Sequence, residues 1–275
     1  MQLGIDLGGT TINMGLVDKG ILTESLTGPS FEKNASLAQT VDHLESFISK
    51  FFRPGVEGIG IGVPSVVDIE KGIVYDTANI PSWKEVHLKE RLEGTFNVPV
   101  SVNNDANCFA LGAADVCGYT RPDKILVGVT LGTGVGIGIV NGGRLINGAN
   151  AGAGELSWLP YKNGTLEQWT SKQFFAERGE SPRDLCTRAS AGDTHALAVM
   201  AEFGTHLAVL ANLVVSAYDP DIIVFGGGIA NCHPFFDSSM KAAMRAVFPF
   251  PKSLEKLRIE YLPQSEVAVK GAAML

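Results

Sequence analysis

This 275-residue sequence has little positive charge to offer: 22 Lys and Arg stand against 29 Asp and Glu, a net charge of -7, and no basic block occurs. That argues against nucleic acid or an anionic membrane surface as partner and points to a small molecule. Cysteines are few. Cys108, Cys117, Cys186 and Cys232 are far apart with no C-x2-C pair, so neither a zinc ribbon nor a disulfide framework is indicated, and free thiols in a reducing compartment are expected. No basic region or cleavage site precedes the first strand residues, and the most apolar segment, Leu207 to Tyr218, is shorter than a bilayer and carries Asn212 and Ser216. A cytoplasmic location is the expectation. Two familiar phosphate-binding patterns are also missing: Gly-x4-Gly-Lys-Ser/Thr does not occur, and the first glycine cluster is not followed by a helix as in dinucleotide folds.

Glycine, by contrast, is plentiful. The 32 glycines cluster at Gly8-Gly9, Gly132 to Gly138 and Gly226 to Gly228, where close backbone approach rather than a linker is implied. With 45% hydrophobic and 19% charged residues, the rest is an ordinary globular composition with ample core. The stretch Met1 to Asp18 reads as a hairpin around Gly8-Gly9-Thr10-Thr11. Backbone N–H groups of Gly8 and Gly9 and the hydroxyls of Thr10 and Thr11 suit a phosphate, and the Asp6 carboxylate suits Mg²⁺ or its waters. A single such turn is equally consistent with a structural glycine hairpin.

Further along, Leu37, Val41, Leu44, Ile48 and Phe51 repeat at helical spacing, with Asn34 or Ser36 placed to cap. Ile59 to Val63 reads as a buried strand, 65–83 as loop-rich with Asn79 free to face a ligand, and Pro99 to Val102 as a strand running into Asn103-Asn104-Asp105-Ala106-Asn107 before a helix. One N-cap needs one side chain. Several polar groups at the carboxyl end of a strand fit the usual position of ligands in α/β sheets. The run Leu131-Gly132-Thr133-Gly134 to Asn141 then repeats the opening hairpin, with Leu131-Gly132 on Leu7-Gly8 and Gly138 to Asn141 on Gly15 to Asp18. Asp221 to Gly228, a strand ending in Gly226-Gly227-Gly228, repeats Ile59 to Pro64. The chain is expected to be duplicated, with two glycine turns and a third glycine corner sharing one nucleotide.

These motifs resemble the superfamily of sugar kinases, hexokinases, heat-shock chaperones and actin, and within it the ROK family of repressors and sugar kinases. Asp6 to Thr11 resembles the first phosphate motif, Leu131 to Gly138 the second, and Ile223 to Gly228 the adenosine motif. The resemblance implies an α/β fold of two ribonuclease H-like (actin-like) lobes with an active-site cleft between them. Residues 1–115 would form the smaller lobe, with 265–275 packing back on it, and 116–264 the larger one. It further implies ATP and Mg²⁺ as cofactors, Asp105 as general base, and Asn104, Glu155 and Glu167 around a sugar, to which the loop residue Asn79 and the aromatic Trp158 add as candidates from the residues themselves. Gly8, Gly9, Thr10, Thr11, Gly132, Thr133, Gly134, Gly227 and Gly228 would meet the nucleotide, and Asp6 would hold Mg²⁺ through water.

The sequence also departs from the family. Trp158 stands where a zinc-binding His is expected and Thr165 where a Cys is expected, and Tyr161-Lys162-Asn163 replaces further ligands, so no structural zinc is expected. Trp158 could stack on a pyranose ring or fill the space the metal leaves. Thr11 replaces a common Lys and leaves the phosphate end less cationic. The leading expectation is phosphorylation of glucose, mannose or a related hexose at its 6-hydroxyl. The alternatives are a kinase-dead sugar sensor or regulator, and a hexokinase using polyphosphate. A homodimer is compatible with the resemblance, and DNA binding is not expected without a helix-turn-helix.

Overall fold

The computed structural model describes every residue except Lys33, Ala78 and Asn150. The chain opens with β1 (Gln2–Leu7), β2 (Thr11–Asp18) and β3 (Ile21–Pro29), then α1 (Leu37–Ser49) and β4 (Gly58–Val63). Three short strands follow, β5 (Val66–Asp68), β6 (Ile73–Tyr75) and β7 (Glu85–His87), then α2 (Leu88–Phe96), β8 (Val100–Asn104) and α3 (Asp105–Val116). The second half runs β9 (Ile125–Leu131), β10 (Val135–Asn141), β11 (Arg144–Leu145), a 3₁₀ turn at Leu156–Trp158, β12 (Pro160–Tyr161) and β13 (Gly164–Thr165). It continues with α4 (Leu166–Thr170), α5 (Lys172–Ala176), α6 (Pro182–Ser190), α7 (Thr194–Tyr218) and β14 (Ile222–Gly226). It ends with a 3₁₀ turn at Ala230–Phe235, α8 (Asp237–Val247), α9 (Pro251–Lys256), β15 (Arg258–Tyr261) and α10 (Gln264–Ala272).

The expected duplication is visible strand for strand. One sheet has the order β3-β2-β1-β4-β8 and the other β11-β10-β9-β14-β15. In each, a hairpin supplies an antiparallel pair and the next two strands join in parallel. The central strands β1, β4, β9 and β14 are buried almost throughout, which is why they read as continuous apolar or glycine-containing runs instead of alternating ones. Lys19 and Gly20 both have positive φ in the two-residue β2–β3 turn, as the twist of a tight hairpin requires. Ser36, not Asn34, caps α1: its side chain accepts from the Gln39 N–H, and the Gln39 side chain accepts from the Ser36 N–H.

Three apolar clusters separate the layers. The first lies under β1, β2, β4 and β8 with α1 and α2, and includes Leu3, Ile5, Leu44 and Trp83. A second is built on β9, β10 and β14 against α4 to α8, with Phe174, Phe203 and Phe225. Between the two sheets lies a third cluster of Phe109, Ala110 and Ala113 from α3 with Val267 and Ala268 from α10. The two helices cross here backbone to backbone: a Cβ on Gly112 would overlap the Val267 carbonyl, and one on Gly271 the Cys108 carbonyl. Gly4 and Gly60 let α10 settle on the first sheet, and Gly138 lets α3 settle on the second. Gly136 and Gly138, part of the second glycine cluster, therefore seat a helix and lie away from the turn.

The apolar segment Leu207 to Tyr218 is the end of a 25-residue helix, α7, in agreement with the buried helix expected over Ala196 to Tyr218. Among the described residues it is the one helix long and apolar enough to cross a membrane, but most of its apolar window is buried inside the second core. Within it, Asn212 donates to the Met244 carbonyl of α8 at 3.3 Å.

Two glycine substitutions should therefore behave oppositely. Gly271→Ala pushes a methyl into the Cys108 carbonyl and should destabilise the fold by roughly 2 kcal/mol or more. Gly94→Ala, on a helical residue with open space around it, should stabilise by roughly 0.5–1 kcal/mol. Urea titration of the two variants distinguishes these signs.

Candidate active site

Asp6 and Asp105 lie at the carboxyl ends of two parallel strands of the first sheet that flank β4: Asp6 near the end of β1, Asp105 just past β8 as the first residue of α3. Asp6 is buried and its Oδ2 accepts from Asn13 Nδ2 at 3.1 Å, a support that the sequence did not mark. Burial pushes its carboxyl up to about 6, with the Asn13 hydrogen bond opposing. Burial, then the neighbouring Asp6 carboxylate, push Asp105 up to about 7, and Glu155 adds to the same direction. The backbone N–H of Ala106, 2.8 Å from Asp105 Oδ1, opposes the rise, and the positive end of α3 acts in the same sense. Two carboxylates so placed share a strong demand for a proton or a cation. Asp6 fits a Mg²⁺ ion in this respect, because that ion needs only one or two protein carboxylates beside water and phosphate.

The other expected sugar-side residues divide. Asn104 is the N-cap of α3, its side-chain oxygen accepting from Ala106 N at 2.9 Å, while its amide donates to the Ser65 carbonyl at 3.3 Å. Asn103 and Asn107 face elsewhere, both donating to Asn147 Oδ1, at 3.1 and 3.4 Å. The polar cluster is thus one cap, one acid and one buried amide knot. Asn79 is exposed and lies against Gly9, where an added Cβ would sit 3.1 Å from the Asn79 side chain. Partial burial and the Glu167 carboxylate push Glu155 upward, with the Trp158 side chain opposing. Glu167 is tied to the second glycine turn: its Oε2 accepts from Val135 N at 3.1 Å and would lie 2.8 Å from a Cβ on Gly134. Trp158 is 61% exposed and fills no interior space.

Both glycine turns are braced so that backbone donors remain open. In the first, Gly8 N donates to Thr11 O at 2.9 Å, and Ser30 Oγ donates to Gly8 O at 2.8 Å. The N–H groups of Gly9 and Thr10 have no partner among the described residues, and the Thr11 side chain is exposed. In the second, Gly132 N donates to Gly134 O at 3.0 Å and Lys172 N to Gly132 O at 2.9 Å, leaving the Thr133 N–H open among the described residues. Gly228 joins this turn in a cavity of about 640 Å³ lined also by Thr133, Lys172, Arg183 and Cys232. Gly227 lies behind it, its positive φ and contact with Leu131 explaining the glycine. Lys172 and Arg183 carried no motif that would have marked them.

Among the described residues, no three His, Cys, Asp or Glu side chains are grouped as metal ligands. The β12–β13 hairpin is held instead by aromatic packing. Tyr161 Oη lies 3.1 Å from His206 Nδ1, Trp169 packs 4.7 Å from the His206 ring, and Lys162 Nζ sits 4.0 Å over Trp169. Burial and the Lys162 charge push His206 down, so the neutral ring can accept from the tyrosine hydroxyl. Cys186 and Cys232, distant in sequence, meet where α6 packs on the 3₁₀ turn, with Cys232 Sγ 3.5 Å from the Pro182 carbonyl; both are free thiols.

The profile of the ROK family matches residues 2–162 and 161–275. A glucokinase of Halalkalibacterium halodurans is 30% identical over 266 residues, 83% of this chain and 80% of its own length. An N-acetyl-D-glucosamine kinase of Yersinia enterocolitica is 29% identical over 312 residues, 100% of this chain and 99% of its own. Among solved structures, the ROK hexokinase from Thermus thermophilus superposes with a TM-score of 0.80 at 25% identity, over 99% of this chain and 96% of that one.

Raised carboxyl values carry a stability consequence. Folded Asp105 holds its proton up to about pH 7 whereas the unfolded group loses it near 3.8, so the folded state loses stability as pH rises across that window. Asp105→Asn keeps the acceptor for Ala106 and removes the charge. In metal-free buffer at pH 8 it should melt a few degrees (~2–5 °C) above the parent, with the gap closing toward pH 4, in thermal melts run across that range.

Proposed function

The chain belongs to the ROK family, and on that footing we propose that it is an ATP-dependent sugar kinase transferring the terminal phosphoryl group to the 6-hydroxyl of a hexose, with Asp105 as general base. The observation carrying this reading is the string of groups that joins the two glycine turns. Asp6 leads into the first turn, Asp105 faces Asp6, Glu155 and Glu167 follow, and Glu167 grips the second turn. We read 1–115 with 265–275 as the smaller lobe, 116–264 as the larger, and the string as lying in the cleft between them.

In this reading the γ-phosphoryl group is held by the open N–H groups of Gly9 and Thr10 and the hydroxyls of Thr10 and Thr11 on one side and by the N–H and hydroxyl of Thr133 on the other, with Gly8, Gly132 and Gly134 shaping the two turns, Gly228 at the nucleoside and Gly227 shaping its corner. Asp6 would hold Mg²⁺ through water, and the bound ion would supply charge neutralisation on the phosphates. Asp105, with an affinity for protons raised to about 7, accepts the proton of the sugar hydroxyl as its oxygen bonds to phosphorus and the bond to the β-phosphate oxygen breaks. Asn79, the remaining amide hydrogen of Asn104, and the carboxylates of Glu155 and Glu167 meet the other hydroxyls, and the exposed Trp158 ring offers an apolar face to the pyranose. Closure of the lobes would exclude water that otherwise competes as acceptor.

An ADP-release assay over glucose, mannose, N-acetylglucosamine and N-acetylmannosamine should find one good acceptor, and no turnover on any of them with MgATP refutes the reading. On that acceptor Asp105→Asn should lower kcat about 10²–10⁴-fold with sugar affinity kept. For the parent enzyme kcat/KM should climb with pH as the carboxyl pair ionises, with an apparent midpoint near 7, since the base works only when deprotonated.

A further inference from the structure

We infer that Lys172, with Arg183 opposite, supplies the positive charge that holds the polyphosphate chain of the donor; this rests on reading the 640 Å³ cavity as the donor site. The charge pattern favours such a group in addition to Mg²⁺ at Asp6. The chain carries a net charge of -7, and Asp6, Asp105, Glu155 and Glu167 stand along the path the donor's terminal phosphate must approach. Among its side chains the first turn brings only hydroxyls, those of Thr10 and Thr11, and no cation. A polyanion entering there meets repulsion that backbone N–H groups alone offset poorly.

Lys172 is fixed where a cation is wanted. Its own N–H donates to the Gly132 carbonyl at 2.9 Å, so the root of the side chain is fastened to the open turn whose next residue is Thr133. The preceding residue, Ser171, accepts from Gln173 N at 3.2 Å and turns the chain there, and Glu167, five residues before Lys172, holds the far side of the same turn through Val135 N. One short segment therefore sets both the turn and its lysine. Arg183, on the first turn of α6, lines the same cavity from another wall. Neither side chain forms an ion pair or hydrogen bond among the described residues, and both are exposed, so their charges are available to a ligand at no cost of broken contacts.

The chemistry recognised is a chain of phosphates, which ATP and inorganic polyphosphate share, and titration with each distinguishes them. Lys172→Met should weaken MgATP binding about tenfold by calorimetry without sugar, roughly 1.4 kcal/mol. It should raise the KM for MgATP by a similar factor, leaving sugar KM and saturated kcat within about twofold. Lys172→Arg should recover most of the loss, and Arg183→Met should weaken binding less than Lys172→Met. Added KCl should weaken the parent more than Lys172→Met, since the interaction lost is one of exposed charges.

Unchanged donor affinity in Lys172→Met, with both MgATP and polyphosphate, overturns the assignment. Loss of affinity that Lys172→Arg does not recover also overturns it, because charge would then not be the cause. A parent that binds neither donor overturns this inference together with the donor-site reading. A parent that binds MgATP and loses affinity in Lys172→Met, yet phosphorylates no sugar, sustains the assignment and refutes only the hexose kinase.

Discussion

The contact on which the rest of the molecule depends is the crossing of α3 and α10, where Gly112 and Gly271 bring two helix backbones together between the sheets. Each helix follows the last strand of one sheet and is pressed against the other, α10 over Gly4 and Gly60 and α3 over Gly138. Side chains larger than hydrogen at those points would separate the layers. α3 also begins with Asp105, so the layer that joins the halves places the acid as well. A glycine within a helix is costly by itself, by roughly 0.5–1 kcal/mol, and is retained here because the close approach buries a shared apolar cluster.

From that layer outward, the site depends on charge kept in short supply. Asp6 and Asp105 sit together with ordinary carboxyl acidity suppressed, and the nearest supporting groups are neutral: Asn13 on one, a backbone N–H on the other. Such an arrangement lowers stability above neutral pH and leaves the pair receptive to a cation or to a proton. It also explains why Glu167 has a double part. By holding Val135 N it fixes the second turn, and its charge raises the proton affinity of Glu155.

Much of this organisation is legible in the sequence. The two hairpins share Leu-Gly at their turns and Gly-apolar-apolar before their ends, and the duplicated sheets follow from that pattern. Individual roles are harder to read. Gly112 and Gly271 look like flaws in helices until the partner helix is present, and Gly136 and Gly138 look like phosphate glycines although they seat α3. Asn104 reads as both cap and ligand because a strand end and a helix start coincide there, and its oxygen is committed to the cap. Lys172 and Arg183 could not be found by motif, since what selects them is the tertiary wall they share. The packing of Tyr161, Trp169 and His206 was equally hidden, because α7 delivers the histidine from 45 residues away.

The outer strands of the two sheets bear on crowding and aggregation. β3 is nine residues long, yet it shifts register opposite Leu16 and Val17, carries the Glu24–Arg53 ion pair and ends in Pro29. β11 has only two residues, and four-residue β15 carries Arg258 paired to Glu260. Irregular, stubby or charged margins of this kind deny a neighbouring chain a flat ladder at β3, β11 and β15, and the fourth margin, β8, offers only five residues, so each sheet gives little edge on which fibril-like stacking could extend.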